Sequence, residues 1–230
     1  MWTRTANGKV LHFYLAGINN QNFLMRDKET GTWWQQITGK AIYGPLKGTA
    51  LELAPYDELS FGQWKAEVSG GKVLAPVAKD NKEYDSKWEA EIVKLPLVIS
   101  FPGTELKSRD VVIGLEMEGE ARAYPWETVL KQSPIMDRVH GTPLLVVAGP
   151  DKKSFRVFAS RIDEKDTEFF LNGESKDWNL LDTATASQWN FQGCAISGAA
   201  QGKCLARVPA LKDYWFDWRN YHADTTVYKH

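Results

Sequence analysis

The sequence has no excess of either charge and no long apolar run. Lysine and arginine number 28 against 29 aspartate and glutamate residues, which gives a formal net charge of −1. Proteins that bind nucleic acids concentrate positive charge against the phosphates, so we expect no nucleic-acid partner. No apolar stretch reaches the roughly 18 residues that a membrane helix needs, so no transmembrane segment is predicted.

Common catalytic and cofactor motifs are also missing. The 4 histidines are scattered without the spacing of a zinc-binding helix, and no Gly-x-Ser-x-Gly elbow supplies a nucleophile. Gly39, Gly44 and Gly48 lack the lysine of a phosphate-binding loop and the spacing of a dinucleotide site, and hairpin turns explain them better. No cofactor and no metal site is therefore predicted.

Cysteine is scarce, with 2 residues, which excludes a disulfide-rich scaffold. A hairpin around residues 198–202 would place Cys194 and Cys204 on facing strands. Facing strand positions have Cα atoms about 4.5–5.5 Å apart, a separation that overlaps disulfide geometry. The sequence therefore predicts a Cys194–Cys204 disulfide, which would form in an oxidising compartment.

What the sequence does contain is tryptophan, at 10 of 230 residues, and an internal repeat. The segment GKAIYG at 39–44 aligns with GCAISG at 193–198. Further matches, some after a slip of one residue, are Gly48 with Gly202, Leu51 with Leu205, Pro55 with Pro209, Trp64 with Trp218, Val73 with Val227, Asp27 with Asp182, Thr30 with Thr185 and Trp34 with Trp189. We predict two copies of one module.

The two copies are unequal in length. We predict a first copy at 1–78, a charged connector at 79–108 and a complete second copy at 109–230. The first copy lacks a front piece of about 45 residues that the second copy has. Either the first copy never had this piece or the chain begins inside a longer natural protein, and we expect the second alternative.

The expected fold is mainly β, a β-rich α+β arrangement in which the two related modules pack as one body with a few short helices. Glycine after Glu118 predicts a two-residue hairpin turn between flanking strands. Helices are predicted at 57–67 and 211–222, in matching places of the copies, and from Pro125 through Lys131. The aromatic helix at 211–222 is expected to cover a sheet while Asp217 and Arg219 face water. A cleft between the modules would be the natural place for a ligand.

The stretch at 26–39 gathers charged, amide and tryptophan side chains. Tryptophan faces can stack on sugar rings, while amides and carboxylates bind hydroxyl groups. On a strand, Asp27 and Glu29 would share one face with their carboxyl groups roughly 6–8 Å apart, near the range of inverting glycosidases, and they are the candidate catalytic residues. The candidate ligand-binding residues are Arg26, Trp33, Trp34, Gln36, Arg122, Tyr124 and Trp189.

A structural interpretation of the same stretch is also open. Asp27 would begin a turn in which polar side chains bond nearby amides, and Trp34 would belong to the core. Asp27 and Trp34 recur in the second copy, whereas Glu29 is replaced there by Ala184. A structural turn would be duplicated with its module, whereas a catalytic pair need not be, so this pattern favours the turn.

Three stretches, at 25–49, 119–125 and 214–218, resemble the signature of domain-of-unknown-function family 3179. The resemblance covers nearly the whole chain and implies a bacterial or archaeal protein that is often exported. It implies an extracytoplasmic location, periplasmic or secreted, for the natural full-length form, although this chain carries no signal peptide. Family members often carry a Cys-Pro-Leu-Cys-like motif, and its counterpart at 146–150 has no cysteine here. The resemblance implies no catalytic residue.

The function expected from these observations is that of an exported binding or scaffold module, with a small molecule or a glycan as its ligand. The alternative is a hydrolase that acts on glycosides through the carboxylate pair near Trp34. A redox or metal protein is the third hypothesis, and the small number of cysteines disfavours it. The sequence leaves open whether the protein is an enzyme and what its oligomeric state is.

Overall fold

The computed structural model describes residues 1–19, 22–83, 85–101, 105–173 and 177–229. In these ranges the chain forms nineteen short strands, four short α-helices and one 3-10 helix at Ala78–Glu83. The prediction of a mainly β fold is confirmed.

The strands are β1 (Thr5–Ala6), β2 (Lys9–Val10), β3 (Phe13–Asn19), β4 (Asn22–Asp27), β5 (Trp33–Gln35), β6 (Ala41–Tyr43), β7 (Val111–Met117), β8 (Glu120–Pro125), β9 (Ile135–Val139), β10 (Thr142–Ala148), β11 (Phe155–Ala159), β12 (Arg161–Ile162), β13 (Lys165–Asp166), β14 (Phe169–Leu171), β15 (Leu180–Asp182), β16 (Gln188–Trp189), β17 (Ala195–Ser197), β18 (Leu211–Tyr214) and β19 (Thr226–Val227). The helices are α1 (Phe61–Glu67), α2 (Trp88–Ile92), α3 (Trp126–Gln132) and α4 (Trp215–Tyr221).

Two antiparallel four-stranded sheets have the same strand order. The first sheet runs β3-β4-β5-β6 and the second runs β14-β15-β16-β17. A two-residue hairpin precedes each of them, β1-β2 before the first sheet and β12-β13 before the second. Both sheets carry a register shift between their third and fourth strands. The order of elements is thus the same around both sheets.

A third four-stranded sheet carries α4. Its order is β18-β7-β8-β19, with β19 parallel to β8 and the other pairs antiparallel. Glu118 and Gly119 join β7 to β8 with φ angles of 51° and 85°, the left-handed pair that a two-residue turn needs, as predicted. Beside this sheet, β9, β10 and β11 form a three-stranded antiparallel sheet, and α3 packs with both sheets in one apolar core.

Helix α4 is shorter than the helix that the aromatic spacing predicts. The prediction of helix from 211 is wrong, because Leu211–Tyr214 pairs with β7 as an edge strand and the helix starts at Trp215. Helix α4 buries Trp215, Phe216 and Trp218. Gly114 in β7 makes room for Trp218, since a Cβ at that position would lie 2.4 Å from its ring.

Helix α1 is also shorter than predicted and is packed differently. It starts at Phe61, because Ser60 caps it by accepting a 3.1 Å hydrogen bond from the backbone N–H of Gln63. In contrast to α4, α1 buries none of its residues. Within the described ranges, no helix is long and apolar enough to cross a membrane.

Candidate functional site

The predicted catalytic residues Asp27 and Glu29 have partners inside the protein. Asp27 is buried, and its carboxylate accepts hydrogen bonds from the indole of Trp34 at 2.8 Å and from the backbone N–H of Thr30 at 2.6 Å. Burial works to raise the pKa of Asp27, but these hydrogen bonds outweigh it and the pKa is lowered. Glu29 accepts from the backbone N–H and the ring of His12, which lowers its pKa.

The second sheet repeats the contacts of Asp27 at Asp182. The indole of Trp189 donates to Asp182 at 2.9 Å, and the hydroxyl of Thr185 donates to it at 2.8 Å. Phe169 packs edge-on against Trp189 at 5.6 Å, as Phe13 packs on Trp34 in the first sheet. A carboxylate that closes the same turn in both sheets has a clear structural role, which favours the turn interpretation of this stretch.

The predicted ligand-binding residues do not lie together. Arg26 lies over the ring of half-buried Trp33 at 5.7 Å and donates to the carbonyl of Gly31. Arg122 and buried Tyr124 both contact Asp137, and burial and then the charge of Asp137 raise the pKa of Tyr124. Trp34 and Trp189 are buried, as described above. Gln36 alone among the seven lines the large cleft described next.

A cleft of about 740 Å³, here called the central cleft, lies between the first sheet and the α4-bearing sheet. Trp2, Asn22 and Gln36 line it from the side of the first sheet, and Asp213 and Asp217 line it from the other. The lining also includes Tyr56, Trp218, Tyr221, His222, Lys40 and Glu116. Aromatic side chains are thus mixed with carboxyl and amide groups in one open space.

Asp213 and Asp217 form a carboxyl pair that lines the central cleft, and among the described residues Oδ2 of Asp213 and Oδ1 of Asp217 are buried without a hydrogen-bond partner. Asp213 is the next-to-last residue of β18 and Asp217 lies in the first turn of α4, so the strand-to-helix junction brings together two side chains four residues apart. Burial and then the charge of Asp217 raise the pKa of Asp213, and burial raises the pKa of Asp217. Two adjoining carboxylates repel each other when both are ionised, so the pair retains a proton near neutral pH.

Side chains from both sides of the central cleft hold this pair. Asn22 donates from Nδ2 to Oδ2 of Asp217 at 2.8 Å, and the backbone N–H of Tyr214 donates to Asp213 at 2.7 Å. The hydroxyl of Tyr221 donates to the carbonyl of Asn19 at 3.3 Å. The first sheet is therefore joined to α4 at the carboxyl pair. The expectation that Asp217 faces water is wrong, because β18 and Asn22 enclose it.

His222 lies at the other end of α4 and is oriented by stacking. Its ring is parallel to that of Trp218 at 3.7 Å, and its Nε2 is 3.3 Å from a carboxylate oxygen of Glu116. Burial lowers the pKa of His222, so the ring is mainly neutral near pH 7. Over the described ranges, no group of three or more histidine, cysteine, aspartate or glutamate side chains could hold a metal ion. The central cleft thus offers hydrogen-bonding groups and ring faces to a ligand.

A second polar cluster attaches α1 to the rest of the chain. Arg156, which is 3% exposed, donates to both carboxylate oxygens of Glu67 at 2.6 and 2.7 Å and to Asp57 at 2.9 Å. Arg207 also pairs with Asp57. The hydrogen bonds from Arg156 outweigh burial and lower the pKa of Glu67. Charges of opposite sign are matched within this cluster, so it serves as an attachment for α1.

The disulfide candidates face each other in the second sheet region. Cys194 and Cys204 form an antiparallel bridge and are joined by a disulfide, with Cα atoms 4.0 Å apart. The equivalent bridge of the first sheet joins Lys40 to Ala50. Both bridges therefore occur at the same place in the two sheets, and one of them is covalent.

Sequence reasoning missed Asp213 and Asp217 as a pair. Both lie beside aromatic residues in a segment that we expected to be one continuous helix. A strand ending at Tyr214 is indicated only by its pairing with β7, which lies about 100 residues earlier. The available signal was the occurrence of two aspartates four residues apart in an otherwise aromatic segment.

Comparison with known proteins identifies the family. The model of the family described as "Protein of unknown function (DUF3179)" matches residues 1–225. No curated protein and no solved structure matches the chain. The resemblance noted from the three sequence stretches is confirmed, and the chain belongs to the DUF3179 family.

Proposed function

We propose that this protein binds a polyhydroxylated ligand of the glycan class in the central cleft and does not cleave it. The observation that carries the proposal is the lining of the cleft, where ring faces and hydrogen-bonding carboxyl and amide groups occur together. Sugar rings present C–H faces to aromatic side chains and hydroxyl groups to polar ones, so this mixture suits them.

The polar groups of the central cleft are well suited to hydroxyl recognition. A carboxyl pair that shares one proton can both donate to and accept from a ligand hydroxyl, and Asp213 and Asp217 provide such a pair. Trp2 is held in place because its Nε1 donates to the carbonyl of Gln36 at 2.6 Å. A positioned ring beside paired carboxyl groups gives a ligand a stacking surface and hydrogen bonds together.

The geometry of the carboxyl pair favours binding over glycoside hydrolysis. Glycosidases separate their two carboxyl groups by about 5 Å or more, to leave room for the sugar or for a water molecule. Asp213 and Asp217 instead adjoin each other at the junction of β18 and α4, where burial and then the charge of Asp217 raise the pKa of Asp213. Hydrolysis through Asp27 and Glu29 is the alternative function, and the internal contacts of Asp27 weigh against it.

We propose further that the chain consists of two copies of one module, at 1–78 and 109–230, and that the protein works outside the cytoplasm. The matched turns at Asp27 and Asp182 support the duplication. The Cys194–Cys204 disulfide supports the location, because disulfides persist mainly in oxidising compartments.

Calorimetric titration with a panel of soluble glycans tests the binding function. We expect binding by the wild-type chain and a loss of affinity of about tenfold or more in Asp217→Asn and in Gln36→Ala. The matched control is Asp166→Asn, because that carboxylate is exposed and pairs with Arg138 and Arg161 outside the central cleft. Absence of binding across the panel, or an equal loss in the control, would overturn the proposal.

An assay for released reducing ends distinguishes ligand binding from the alternative function, glycoside hydrolysis. We expect no release by the wild-type chain. Release that is abolished in Glu29→Gln, in a variant with an unchanged melting temperature, would instead establish a hydrolase that uses the stretch near Trp34. Binding lost only in the cleft variants would place the ligand in the central cleft.

A further inference from the structure

The Cys194–Cys204 disulfide crosslinks a β-bridge whose equivalent beside the first sheet forms without a disulfide. In the second sheet region, Leu205 N–H donates to the carbonyl of Gly193 at 2.8 Å, and Ala195 N–H donates to that of Lys203 at 2.8 Å. The first sheet has the same two backbone hydrogen bonds, from Leu51 to Gly39 at 2.9 Å and from Ala41 to Thr49 at 2.8 Å. The bridging pair beside the first sheet is Lys40 and Ala50, which cannot form a disulfide. Backbone hydrogen bonds alone are therefore enough to form this bridge.

The disulfide is open to solvent. Cys204 is exposed and Cys194 is partly buried. Both line a groove of about 910 Å³ that lies between the bridge and α1. Of the two cysteines, Cys204 is therefore the more accessible to an attacking thiol.

The wall of this groove opposite the disulfide is aromatic. Phe61 and Trp64 of α1 stack at 5.6 Å and line the groove with Val68. Phe61 is 63% exposed, whereas Trp215, the residue at its place in α4, is 2% exposed. The aromatic position that α4 buries is thus exposed in α1, in the same groove as the disulfide.

Charges within the groove are balanced. Arg156 and Arg207 line it together with Asp57 and Glu67, and these four side chains pair with one another. A neutral, partly aromatic groove suits an apolar peptide segment better than a highly charged one.

We propose that Cys194–Cys204 is a thiol–disulfide exchange site whose substrate is a dithiol peptide segment with apolar residues beside its cysteines. The apolar residues would rest on Phe61 and Trp64 while a cysteine reaches Cys204. This activity is separate from ligand binding in the central cleft and does not depend on it.

The exchange balances in two steps. The thiolate of the dithiol attacks Sγ of Cys204, a new S–S bond forms, and the Cys204–Cys194 bond breaks with Cys194 leaving as a thiolate. The second thiolate of the dithiol then attacks the mixed disulfide and forms a disulfide within the substrate, and Cys204 leaves as a thiolate. The dithiol is oxidised by two electrons, the chain is reduced, and the two protons lost by the dithiol end on Cys194 and Cys204.

Trapping with a monothiol peptide tests where attack occurs. The probe is a short synthetic peptide with one cysteine flanked by leucine residues, and the comparison thiol is glutathione. We expect peptide mapping to find the mixed disulfide at Cys204. Its formation in Phe61→Ala should be slower by about fivefold with the peptide, the effect of losing roughly 1 kcal/mol of contact, and unchanged with glutathione.

A matched control uses an exposed aromatic residue elsewhere. Phe23→Ala removes a side chain that is 45% exposed on the first sheet, and we expect it to leave both rates unchanged. Attack at Cys194, an equal slowing of both thiols in Phe61→Ala, or the same slowing in Phe23→Ala would overturn the proposal. Because α1 buries none of its residues, Phe61→Ala is expected to fold normally, and circular dichroism checks this.

Discussion

The side-chain amide of Asn22 donates a 2.8 Å hydrogen bond to the carboxyl group of Asp217, which lies 195 positions later in the chain. Asn22 starts β4, and Asp217 lies in the first turn of α4. This bond, together with that from Tyr221 to Asn19, joins the first sheet to the helix that carries Asp217. Asn22 and Asp217 both line the central cleft, so this contact connects its two sides beside the carboxyl pair.

The carboxyl pair should make stability depend on pH. In the folded chain burial raises the pKa of Asp213 and Asp217, whereas in the unfolded chain both have the ordinary value of 3.8. The folded state then binds more protons, so this contribution is complete below pH 3.8 and is lost as pH rises through the raised pKa values. Asp213→Asn, which keeps a donor toward Asp217, should weaken the dependence. Urea unfolding at about pH 5 and about pH 8 gives the change in unfolding free energy between these two pH values. We expect this change to be larger in the wild type than in the variant by about 1–3 kcal/mol. The same change in unfolding free energy in both chains would contradict a proton retained by the carboxyl pair.

The two equivalent turns should contribute similarly to stability. Asp27→Asn and Asp182→Asn each replace a buried carboxylate that accepts from a tryptophan indole and from a threonine. We expect each to lower the free energy of unfolding by about 2–4 kcal/mol, since several charge-assisted hydrogen bonds are weakened. Thermal denaturation measures both, and the control Glu29→Gln should change the melting temperature much less, because the contacts of Glu29 with His12 are exposed. A stable Asp27→Asn chain would show that Asp27 is not needed for the turn.

The pKa values of these two aspartates give the opposite dependence on pH. Hydrogen bonds lower the pKa of Asp27 and Asp182 below 3.8 in the folded chain. Their contribution is therefore complete above that value and is lost as pH falls through the lowered pKa values. Acid unfolding of Asp182→Asn should consequently show a weaker dependence on pH than that of wild type.

Removal of Glu67 should release α1. Glu67→Gln breaks the bidentate contact with Arg156 and leaves a buried guanidinium with Asp57 as its remaining carboxylate partner. We expect a loss of about 2–4 kcal/mol in unfolding free energy, because the buried charge of Arg156 is then only partly compensated. Glu91→Gln is the control, since its ion pair with Lys94 is exposed and should contribute little. Protease cleavage near α1 should increase in Glu67→Gln and not in Glu91→Gln.

The bridge of the first sheet should accept a disulfide. Lys40 and Ala50 occupy the same bridge as Cys194 and Cys204, so a Lys40→Cys/Ala50→Cys chain should form a second disulfide on air oxidation. Thiol titration under denaturing conditions counts it. Conversely, Cys194→Ser/Cys204→Ser should fold and lose about 1–3 kcal/mol, as expected for a short crosslinked loop. A double-serine chain that does not fold would contradict the view that backbone pairing suffices there.

Local sequence patterns were enough for the fold class and for some turns. The hairpin at Glu118 and Gly119 follows from the left-handed backbone that its turn requires, which is a property of two adjacent residues. The matched Asp27 and Asp182 favoured the turn interpretation for the same reason, since the bonding partners lie within seven residues. Such features depend on neighbours in the chain, and a single sequence contains them.

Contacts between distant segments were decided by the tertiary structure. Leu211–Tyr214 is a strand and not the start of a helix, because β7 supplies backbone partners that helical spacing cannot reveal. Arg156 contacts Glu67, which lies 89 positions away in the chain, and Asn22 contacts Asp217, which lies 195 positions away. The sequence by itself thus determined which residues turn, alternate and bury apolar surface. Which carboxyl groups meet in a cleft depended on how the sheets pack, because pairing over such distances is set by the whole fold and by no local pattern.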